Sequence, residues 1–350
     1  MKRSLAATLL PLALLPLALL LSACSGASSA DGSGGTNGRT DGKGSLTLKV
    51  GDQKGGAEAI LRAAGELDDL PYKVTWSTFT SGPPLLEAVN ARAVDIGSVG
   101  NTPPVFAAGA GSKIKVVAAT HGDARGDTIL VREDSPLRKT SELRGKTVAV
   151  AQGSSAHYQL IASLRKAGLT VKDVKVKLLQ PADALAAFTS GKVDAWCVWD
   201  PYTSQVLHGG LGRVLTDGRG VVNGLNFQVA APAALEDKKK AAAIGDFVDR
   251  LRRAQDWAFE HPEDWAEVWA KDTGMPYGVA LDAVKRSNGT RKPVALDKAA
   301  IDSEQEIADT FADLKLIPRR FDFADFVDNR FNKNLPPSTS PARTYGKAAS

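Results

Sequence analysis

One pattern occurs twice in this chain, and it limits the folds that the chain can adopt. Residues 92–103 read RAVDIGSVGNTP, and residues 191–202 read GKVDAWCVWDPY. Each copy contains Val-Asp, an apolar run of strand length, and then a turn residue with proline. A helix-like segment precedes each copy, so the same helix, strand, turn and helix start is predicted twice. Short apolar runs without alternation are typical of strands buried on both faces of a parallel sheet.

The distance between the two copies is too long for a solenoid repeat and predicts two similar α/β lobes. Loops at the carboxyl ends of parallel strands face a crevice, so each lobe would present one of the repeated loops there. A chance similarity between two ordinary βα units is the alternative interpretation.

The first residues have the composition of an export signal. Lys2 and Arg3 precede an apolar run without acidic residues, from Leu5 to Leu21. A charged start, an apolar core and small residues before a cleavage site predict a signal peptide over residues 1–23 rather than a membrane-spanning helix.

The end of this segment, Leu21-Ser22-Ala23-Cys24, resembles the lipobox of bacterial lipoproteins. The resemblance implies cleavage before Cys24 and a lipid on its thiol. A plain secretory signal is the alternative. Pro11 and Pro16 also disfavour a stable spanning helix.

Residues 24–45 contain no large apolar side chain, which predicts a flexible tether behind the lipid. The chain has a formal charge of +5, and loss of Lys2 and Arg3 with the signal leaves +3. Such a small excess does not predict a nucleic-acid partner or a polybasic membrane patch. With Cys24 lipidated, Cys197 is the one remaining cysteine, so no internal disulfide is expected.

Alternating strand-like and helix-like segments from Leu46 onward predict an α/β fold. We expect residues 46–131 together with 230–331 to form lobe I and residues 132–229 to form lobe II. The chain would then cross between the lobes twice, in a two-strand hinge. The polar segment REDSPL, residues 132–137, is the expected first crossing.

The last third of the chain is predicted to be helical and to pack against lobe I. Apolar stripes at helical spacing run through residues 237–260 and 296–314. Trp265 and Trp269 have the same spacing, which favours a core position over a ligand contact. The Pro/Ser-rich residues 332–350 are expected to be a disordered tail.

Five loops follow predicted strand ends, at residues 51–54, 81–83, 100–103, 152–155 and 199–201. The first four are rich in glycine and in hydroxyl and amide side chains. Helix N-termini offer free N–H groups and a positive partial charge, so several of them at one cleft would bind an anion. A sulfonate or a similar oxyanion accepts hydrogen bonds only and would suit such donors. The same residue types are also favoured at any helix start for capping alone.

Longer motifs in these loops resemble the aliphatic-sulfonate-binding proteins of ABC importers, in a wider family that includes taurine- and nitrate-binding proteins. The motifs are GDQK at 51–54, SGPPLLEA at 81–88, DIGSVGNTPPVFA at 95–107, QGSSAHY at 152–158 and PADALAAFTSGKVDAWCVWDPY at 181–202. The resemblance runs from about Leu46 to Ala231 and fades through the C-terminal third. It implies a two-lobed periplasmic-binding-protein-like fold of type II, in which the lobes close on a ligand.

The resemblance also implies a function. The protein would be an extracytoplasmic, membrane-anchored monomer that binds an aliphatic sulfonate and hands it to a membrane permease, without catalysis, cofactor or metal. The implied ligand contacts are Gln53, Lys54, Ser81, Thr102, Ser154, His157, Trp199 and Asp200. Asn101 stands where sulfonate binders often have glutamate, which leaves the distal group of the ligand open. Taurine, nitrate and a thiamine-pyrimidine precursor are the alternative ligands.

Two of these residues also have plainer interpretations. His157, in the first turn of its helix, has a packing or capping role as the alternative to ligand contact. Asp200 is poorly suited to lie beside an anion and is expected to cap the helix PYTSQVL, with Trp199 or Tyr202 covering an alkyl chain.

An enzyme that uses Ser154, Ser155 and His157 as nucleophile and base is the alternative from another functional class. Ser155 and His157 are two residues apart, and such residues do not face each other on a helix.

Overall fold

The computed structural model describes residues 46–54 and 56–339. The expected signal peptide, the tether and Cys24 lie outside these residues, as does the end of the expected tail. Within the described part of the chain, no helix is both long enough and apolar enough to cross a membrane.

The strands, numbered along the chain, form two sheets in the described residues. The first sheet contains β1 (Thr47–Gln53), β2 (Lys73–Phe79), β3 (Ile96–Gly100), β4 (Lys115–His121), β10 (Leu225–Ala230) and β11 (Lys292–Val294). Their order across the sheet is β11-β4-β10-β3-β1-β2. β1 pairs in parallel with β2 and β3, whereas β10 runs antiparallel to β3 and β4.

The second sheet contains β5 (Thr128–Arg132), β6 (Thr147–Val150), β7 (Lys175–Leu178), β8 (Ala195–Val198) and β9 (Gly212–Asp217). Their order is β7-β6-β8-β5-β9. β6 pairs in parallel with β7 and β8, and β5 runs antiparallel to β8 and β9.

The helices lie around the two sheets and dominate the C-terminal third, as predicted. They are α1 (Ala57–Ala63), α2 (Gly82–Asn90), α3 (Thr102–Gly109), α4 (Ser155–Lys166), α5 (Pro181–Thr189), α6 (Tyr202–His208), α7 (Pro232–Glu236), α8 (Lys238–Glu260), α9 (Pro262–Thr273), α10 (Tyr277–Arg286) and α11 (Lys298–Asp313). Short 3₁₀ turns occur at Thr140–Leu143, Val171–Asp173, Asn288–Thr290 and Phe323–Phe326. The side chain of Asp237 caps α8, and that of Asp297 caps α11.

The repeated sequence pattern corresponds to a repeated position in the two sheets. β3 and β8 each lie between the central parallel strand of their sheet and an antiparallel strand. The turn and proline that follow each of them lead into α3 and α6. The repeat is therefore structural and not a chance similarity between unrelated βα units.

The chain crosses between the sheets at residues 122–127 and again at residues 218–224. These two segments are hydrogen-bonded to each other. The N–H of Gly122 donates to the Gly224 carbonyl at 2.9 Å, and the N–H of Gly218 donates to the Asp127 carbonyl at 2.9 Å. The two crossings therefore form one hinge.

The crossings differ from the boundaries expected at residues 131/132 and 229/230. β5 belongs to the second sheet, where Ile129 lies opposite Cys197, and all of β10 belongs to the first sheet. The segment REDSPL, expected as the first crossing, lies inside the second lobe after β5. Its polar composition is that of any exposed loop, and it does not distinguish a hinge from a surface turn.

Residues after 331 also differ from expectation where the structure describes them. The Asn332 side chain bonds the backbone of Leu296, and the Ser338 hydroxyl donates to an Asp297 carboxylate oxygen at 2.6 Å. Ser338 is buried. The segment up to Ser338 is therefore fixed against the start of α11, although its composition suggested disorder.

Apolar packing follows the division into lobes. One large core contains the first sheet and the C-terminal helices, and the second sheet has an apolar core on each face. Tyr158 and Ile161 of α4 belong to the large core of the first lobe. Helix α4 of the second lobe therefore packs directly against the first lobe.

Candidate ligand-binding site

A cavity lies between the two lobes, at the carboxyl ends of the parallel strands. The space free of protein atoms in the cavity and at its open mouth is about 1130 Å³. The first lobe and the hinge line most of it. The second lobe contributes Ser154, Ser155, Trp199, Asp200, Pro201 and Tyr202. This is the position expected for a site in sheets of this kind.

Three helix N-termini meet on one side of the cavity. Gly82 of α2, Pro103 of α3 and Ser155 of α4 line the wall. The prolines at positions 83, 84, 103 and 104 carry no N–H, so α2 and α3 present few backbone donors. Helix α4 begins Ser-Ala-His and keeps its first N–H groups. The start of α4 is therefore the best-equipped anion site of the three.

Two adjacent serines at the start of α4 differ in what their hydroxyls do. Ser154 is buried, and its Oγ donates to the Ala151 carbonyl at 2.7 Å. Ser155 also lines the cavity, and its Oγ has no hydrogen-bond partner among the described residues. Ser155 therefore has the hydroxyl that is free to donate to an anion, although the sequence motif pointed to Ser154.

Gln53 and Lys54 line the cavity, as the motif implied. One amide hydrogen of Gln53 is used on the Ser98 carbonyl at 3.0 Å, which leaves the other free. The indole N–H of Trp269 donates to the Lys54 carbonyl at 3.1 Å and fixes the loop after β1. The Gln53 side chain and the Lys54 backbone are therefore held at the end of β1, while the Lys54 side chain is exposed.

The wall of the cavity also contains an apolar surface. Its first-lobe part includes Ala57, Ile60, Leu251, Trp265 and Trp269. The rings of Trp265 and Trp269 are stacked, with centroids 5.4 Å apart and an interplanar angle of 9°. We expected these two tryptophans to be core residues only. They are buried in the core, and they also face the cavity because α9 lies at its edge.

The second lobe adds an aromatic pair. Trp199 and Tyr202 line the cavity, with ring centroids 6.2 Å apart in an edge-to-face arrangement. This agrees with the expected role of either ring in covering an alkyl chain. The cavity thus offers apolar contact from both lobes.

Two carboxylates in the wall are already bound by protein groups. Asp52 accepts from the N–H groups of Gln53, Ala57 and Glu58 at 2.8–2.9 Å. Asp200 accepts from the N–H and the hydroxyl of Ser204, so the expected capping contact with α6 is present. Burial raises the pKa of both carboxyls to about 6, against the effect of these hydrogen bonds.

Asp127 and Arg291 also line the cavity, although none of the sequence motifs contains them. Asp127 lies in the first crossing, and Arg291 follows the 3₁₀ turn Asn288–Thr290. Burial raises the pKa of Asp127 to about 6, while the positive charge of Arg291 opposes the shift. Nothing in the local sequence around either residue distinguishes it from an ordinary surface charge.

Three of the residues implied by the resemblance do not line the cavity. Ser81 is fully buried, and its hydroxyl donates to Gln180 Oε1 at 3.0 Å. Thr102 is fully buried, and its hydroxyl donates to Asn101 Oδ1 at 2.9 Å. Their backbone still helps to form the helix starts.

His157 is the third of these residues. Its ring packs against Phe106 and Phe311, with centroids 5.9 and 5.3 Å away. Its Nδ1 accepts from the Gly153 N–H at 3.3 Å, and burial lowers its pKa to about 4. His157 has the packing role that was the alternative to ligand contact. His157 is therefore not placed to act as a base toward a serine in the cavity.

Comparison with known proteins agrees with this architecture. Residues 43–271 match the sequence model of the NMT1-like family. The chain belongs to this family. An Escherichia coli (strain K12) relative, named for binding aliphatic sulfonates, is 37% identical over 279 residues, 79% of this chain and 86% of the relative.

Two solved structures resemble this NMT1-like protein closely. The alkanesulfonate-binding protein SsuA from Xanthomonas axonopodis pv. citri, bound to MOPS, has a TM-score of 0.75 and 31% identity, covering 81% of this chain and 98% of that chain. The periplasmic aliphatic sulphonate binding protein SsuA from Escherichia coli has a TM-score of 0.71 and 32% identity, covering 87% of this chain and 95% of that chain. The predicted two-lobed fold is confirmed.

The lobes of this NMT1-like protein touch on two sides of the cavity. On one side, the hydroxyls of Thr80 and Ser81 donate to Gln180 Oε1 at 3.2 and 3.0 Å. On the other side, the Ser287 hydroxyl donates to Asp200 Oδ2 at 3.0 Å. Each contact joins the two lobes directly. These hydrogen bonds therefore stabilise the arrangement in which the lobes close over the cavity.

Proposed function

We propose that this protein binds an aliphatic sulfonate between its lobes and delivers it to the permease of an ABC importer. The observation that carries the proposal is the composition of the cavity wall. The wall combines the start of α4, which has free donors, with an aromatic and aliphatic surface. A sulfonate head accepts hydrogen bonds from the first, and its alkyl chain contacts the second. The names of the sulfonate-binding relatives support the same ligand class.

Other ligands use only part of this wall. Sulfate and nitrate have no tail for the apolar surface. A pyrimidine would leave the helix starts at α4 without an anion. Taurine is a second candidate because Asp127 and Asp200 line the cavity and a carboxylate suits its ammonium.

A calorimetric panel tests the ligand class. Titration with alkanesulfonates of increasing length, taurine, sulfate, nitrate and a pyrimidine should rank the sulfonates first. Affinity should rise by about 0.8 kcal/mol per buried CH₂, roughly fourfold in Kd, until the cavity is full. Tighter binding of sulfate or nitrate than of any alkanesulfonate would contradict the proposal.

We propose that the protein binds its ligand without chemical change. The packed position of His157 and the binding-protein names of the relatives support this. Recovery of an unaltered sulfonate after prolonged incubation with stoichiometric protein is expected. Recovery of a desulfonated or otherwise changed product would favour the enzyme alternative.

We propose an extracytoplasmic location with a lipid anchor at Cys24. The motif Leu21-Ser22-Ala23-Cys24 and the apolar run before it support the anchor. The name of the periplasmic relative supports the location. In a Cys24→Ala variant the protein should leave the membrane fraction. Cys197→Ala is the matched control, because Cys197 is fully buried in the second lobe; retention of both variants in the membrane would disprove the anchor.

We also propose that the protein acts as a monomer, because the cavity is complete within one chain. Light scattering coupled to gel filtration should give the mass of a single chain, with and without ligand. A ligand-dependent dimer would contradict this.

A further inference from the structure

One corner of the cavity holds two charged groups that are not paired with each other. Asp127 comes from the first crossing, and its backbone carbonyl is fixed by the N–H of Gly218 in the second crossing at 2.9 Å. The stem of Arg291 lies against the same crossing, because a Cβ added to Gly122 would be 3.3 Å from Arg291 Cγ. Both side chains therefore lie beside the hinge, and both line the cavity.

The two groups are close enough to influence each other but are not in contact. The charge of Arg291 is the main favourable influence on ionised Asp127, and the charge of Asp127 is the main favourable influence on Arg291. Within the described residues, however, neither the carboxylate nor the guanidinium makes a hydrogen bond or an ion pair. Both residues are half-buried, and a charge that is partly shielded from water is stabilised by an opposite charge beside it. A ligand group of the right charge would therefore be stabilised beside each of them.

The neighbouring charges are already occupied. Asp200 accepts from Ser204 and Ser287 and has Arg286 at 3.8 Å. Asp123 is paired with Arg125 at 2.5 Å. Asp127 and Arg291 are therefore the carboxylate and the guanidinium that remain available to a ligand in this corner.

A single charge on the ligand would satisfy one of the two groups and face the other unfavourably. An ammonium suits Asp127 but not Arg291, and a carboxylate suits Arg291 but not Asp127. A group that carries both charges on one carbon matches both. An α-amino acid head group has this arrangement, with its ammonium and carboxylate a few ångströms apart.

We propose that the ligand is a sulfonated α-amino acid, of which cysteate is a short example. Its sulfonate lies at the start of α4, its ammonium beside Asp127 and its carboxylate beside Arg291. The inference rests on the proposed function, because it assumes that a sulfonate occupies the helix starts. Asp127 and Arg291 are then the residues that determine specificity for the distal group.

Calorimetry with three sulfonates of matched length tests the inference. L-cysteate carries both distal charges, 2-aminopropane-1-sulfonate carries the ammonium on the same carbon with a methyl group in place of the carboxylate, and 1-propanesulfonate carries neither charge. We expect cysteate to bind at least tenfold more tightly than 1-propanesulfonate and also more tightly than 2-aminopropane-1-sulfonate. Asp127→Asn should reduce the ratio of the cysteate and 1-propanesulfonate affinities to below threefold. Arg291→Gln should abolish the preference for cysteate over 2-aminopropane-1-sulfonate.

Asp123→Asn is the matched control, since Asp123 lies in the same crossing but does not line the cavity. At pH 7.5, where Asp127 is ionised with or without Asp123, this variant should keep the wild-type ratios. If wild type binds 1-propanesulfonate as tightly as cysteate, the inference is overturned while the proposed function stands. If none of the sulfonates binds, both fail. The ratios of the sulfonate affinities in the wild-type protein test the inference even if a substituted chain does not fold.

Discussion

Asp95 in the first lobe and Asp194 in the second make the same pair of hydrogen bonds to the strand beside them. The Asp95 carboxylate accepts from Lys49 N–H at 2.9 Å, and the Asp95 N–H donates to the Lys49 carbonyl at 2.8 Å. Asp194 makes both bonds with Thr147, at 2.8 and 2.9 Å. These are the aspartates of the repeated Val-Asp pattern. These two aspartates therefore fix the start of a parallel strand pair in each lobe, and neither of them lines the cavity.

This role predicts a stability defect in an Asp194→Ala variant. The substitution leaves the Thr147 N–H without its acceptor, which costs about 1–3 kcal/mol when the donor is kept from water. Urea unfolding should show that loss. Asp183→Ala is the control, because Asp183 is exposed on α5. Equal stability of the two variants would show that the shared hydrogen bond is unimportant.

The repeat also shows which parts of the fold the sequence predicts well. Strand-length apolar runs and proline-started helices carry strong local signals, so β3, β8 and the helices after them were predictable. The hinge was not, because the true crossing at residues 122–127 and the surface loop REDSPL have similar polar composition. The two segments are distinguished only by strand pairing. Ile129 of β5 lies opposite Cys197 of β8, so β5, which precedes REDSPL, belongs to the second sheet.

For the binding site, the sequence predicted the loops of the cavity wall but not all of the side chains that face it. Motifs identified the loops that line the cavity, including Gln53 and Trp199. They did not give the direction of each side chain, so His157 proved to be packed inside, and the free hydroxyl belongs to Ser155. Asp127 reaches the site through the hinge and Arg291 through the C-terminal third, where local patterns carry no information on long-range contacts.

The two serines at the start of α4 should differ in their effect on binding. Ser155→Ala removes a hydroxyl that is free to donate to the sulfonate, and hydrogen bonds to charged groups contribute about 1.5–3 kcal/mol. Its Kd for an alkanesulfonate should rise at least tenfold. Ser154→Ala is the matched comparison, because that hydroxyl is used on Ala151. A larger loss of affinity in Ser154→Ala than in Ser155→Ala would show that the sulfonate does not accept a hydrogen bond from Ser155.

The contact of Gln180 with Thr80 and Ser81 should stabilise the closed form. In Gln180→Ala both hydroxyls lose their acceptor in the other lobe. Each such bond contributes about 0.5–1.5 kcal/mol, so the release rate of the sulfonate should rise several-fold with little change in association. Stopped-flow measurement separates the two rates. Ser190→Ala, on the exposed end of α5, serves as control, and an unchanged release rate in Gln180→Ala would refute the closure role.

His157 should make stability depend on pH. Burial lowers its pKa from 6.5 to about 4, so the unfolded chain takes up a proton at a higher pH than the folded chain. Its contribution is therefore complete above pH 6.5 and is lost as the pH falls toward 4, by about 3 kcal/mol in total. His157→Phe keeps the ring but cannot titrate. The stability difference between wild type and this variant should shift by that amount between pH 7.5 and 4; a constant difference would contradict it.

Asp127 should make recognition of the distal group depend on pH. Its pKa is raised to about 6 by burial, with Arg291 opposing and Asp200 and Asp123 adding to the shift. An ammonium beside it favours the ionised carboxylate, so binding of cysteate below pH 6 must first remove a proton. The ratio of the cysteate and 1-propanesulfonate affinities should therefore be constant above about pH 7 and fall by up to tenfold per pH unit below 6. Use of the ratio cancels the titration of Asp200, which affects both ligands. In Asp127→Asn the ratio should be small and independent of pH. A wild-type ratio that stays level down to pH 5 would mean that the ammonium does not lie beside Asp127.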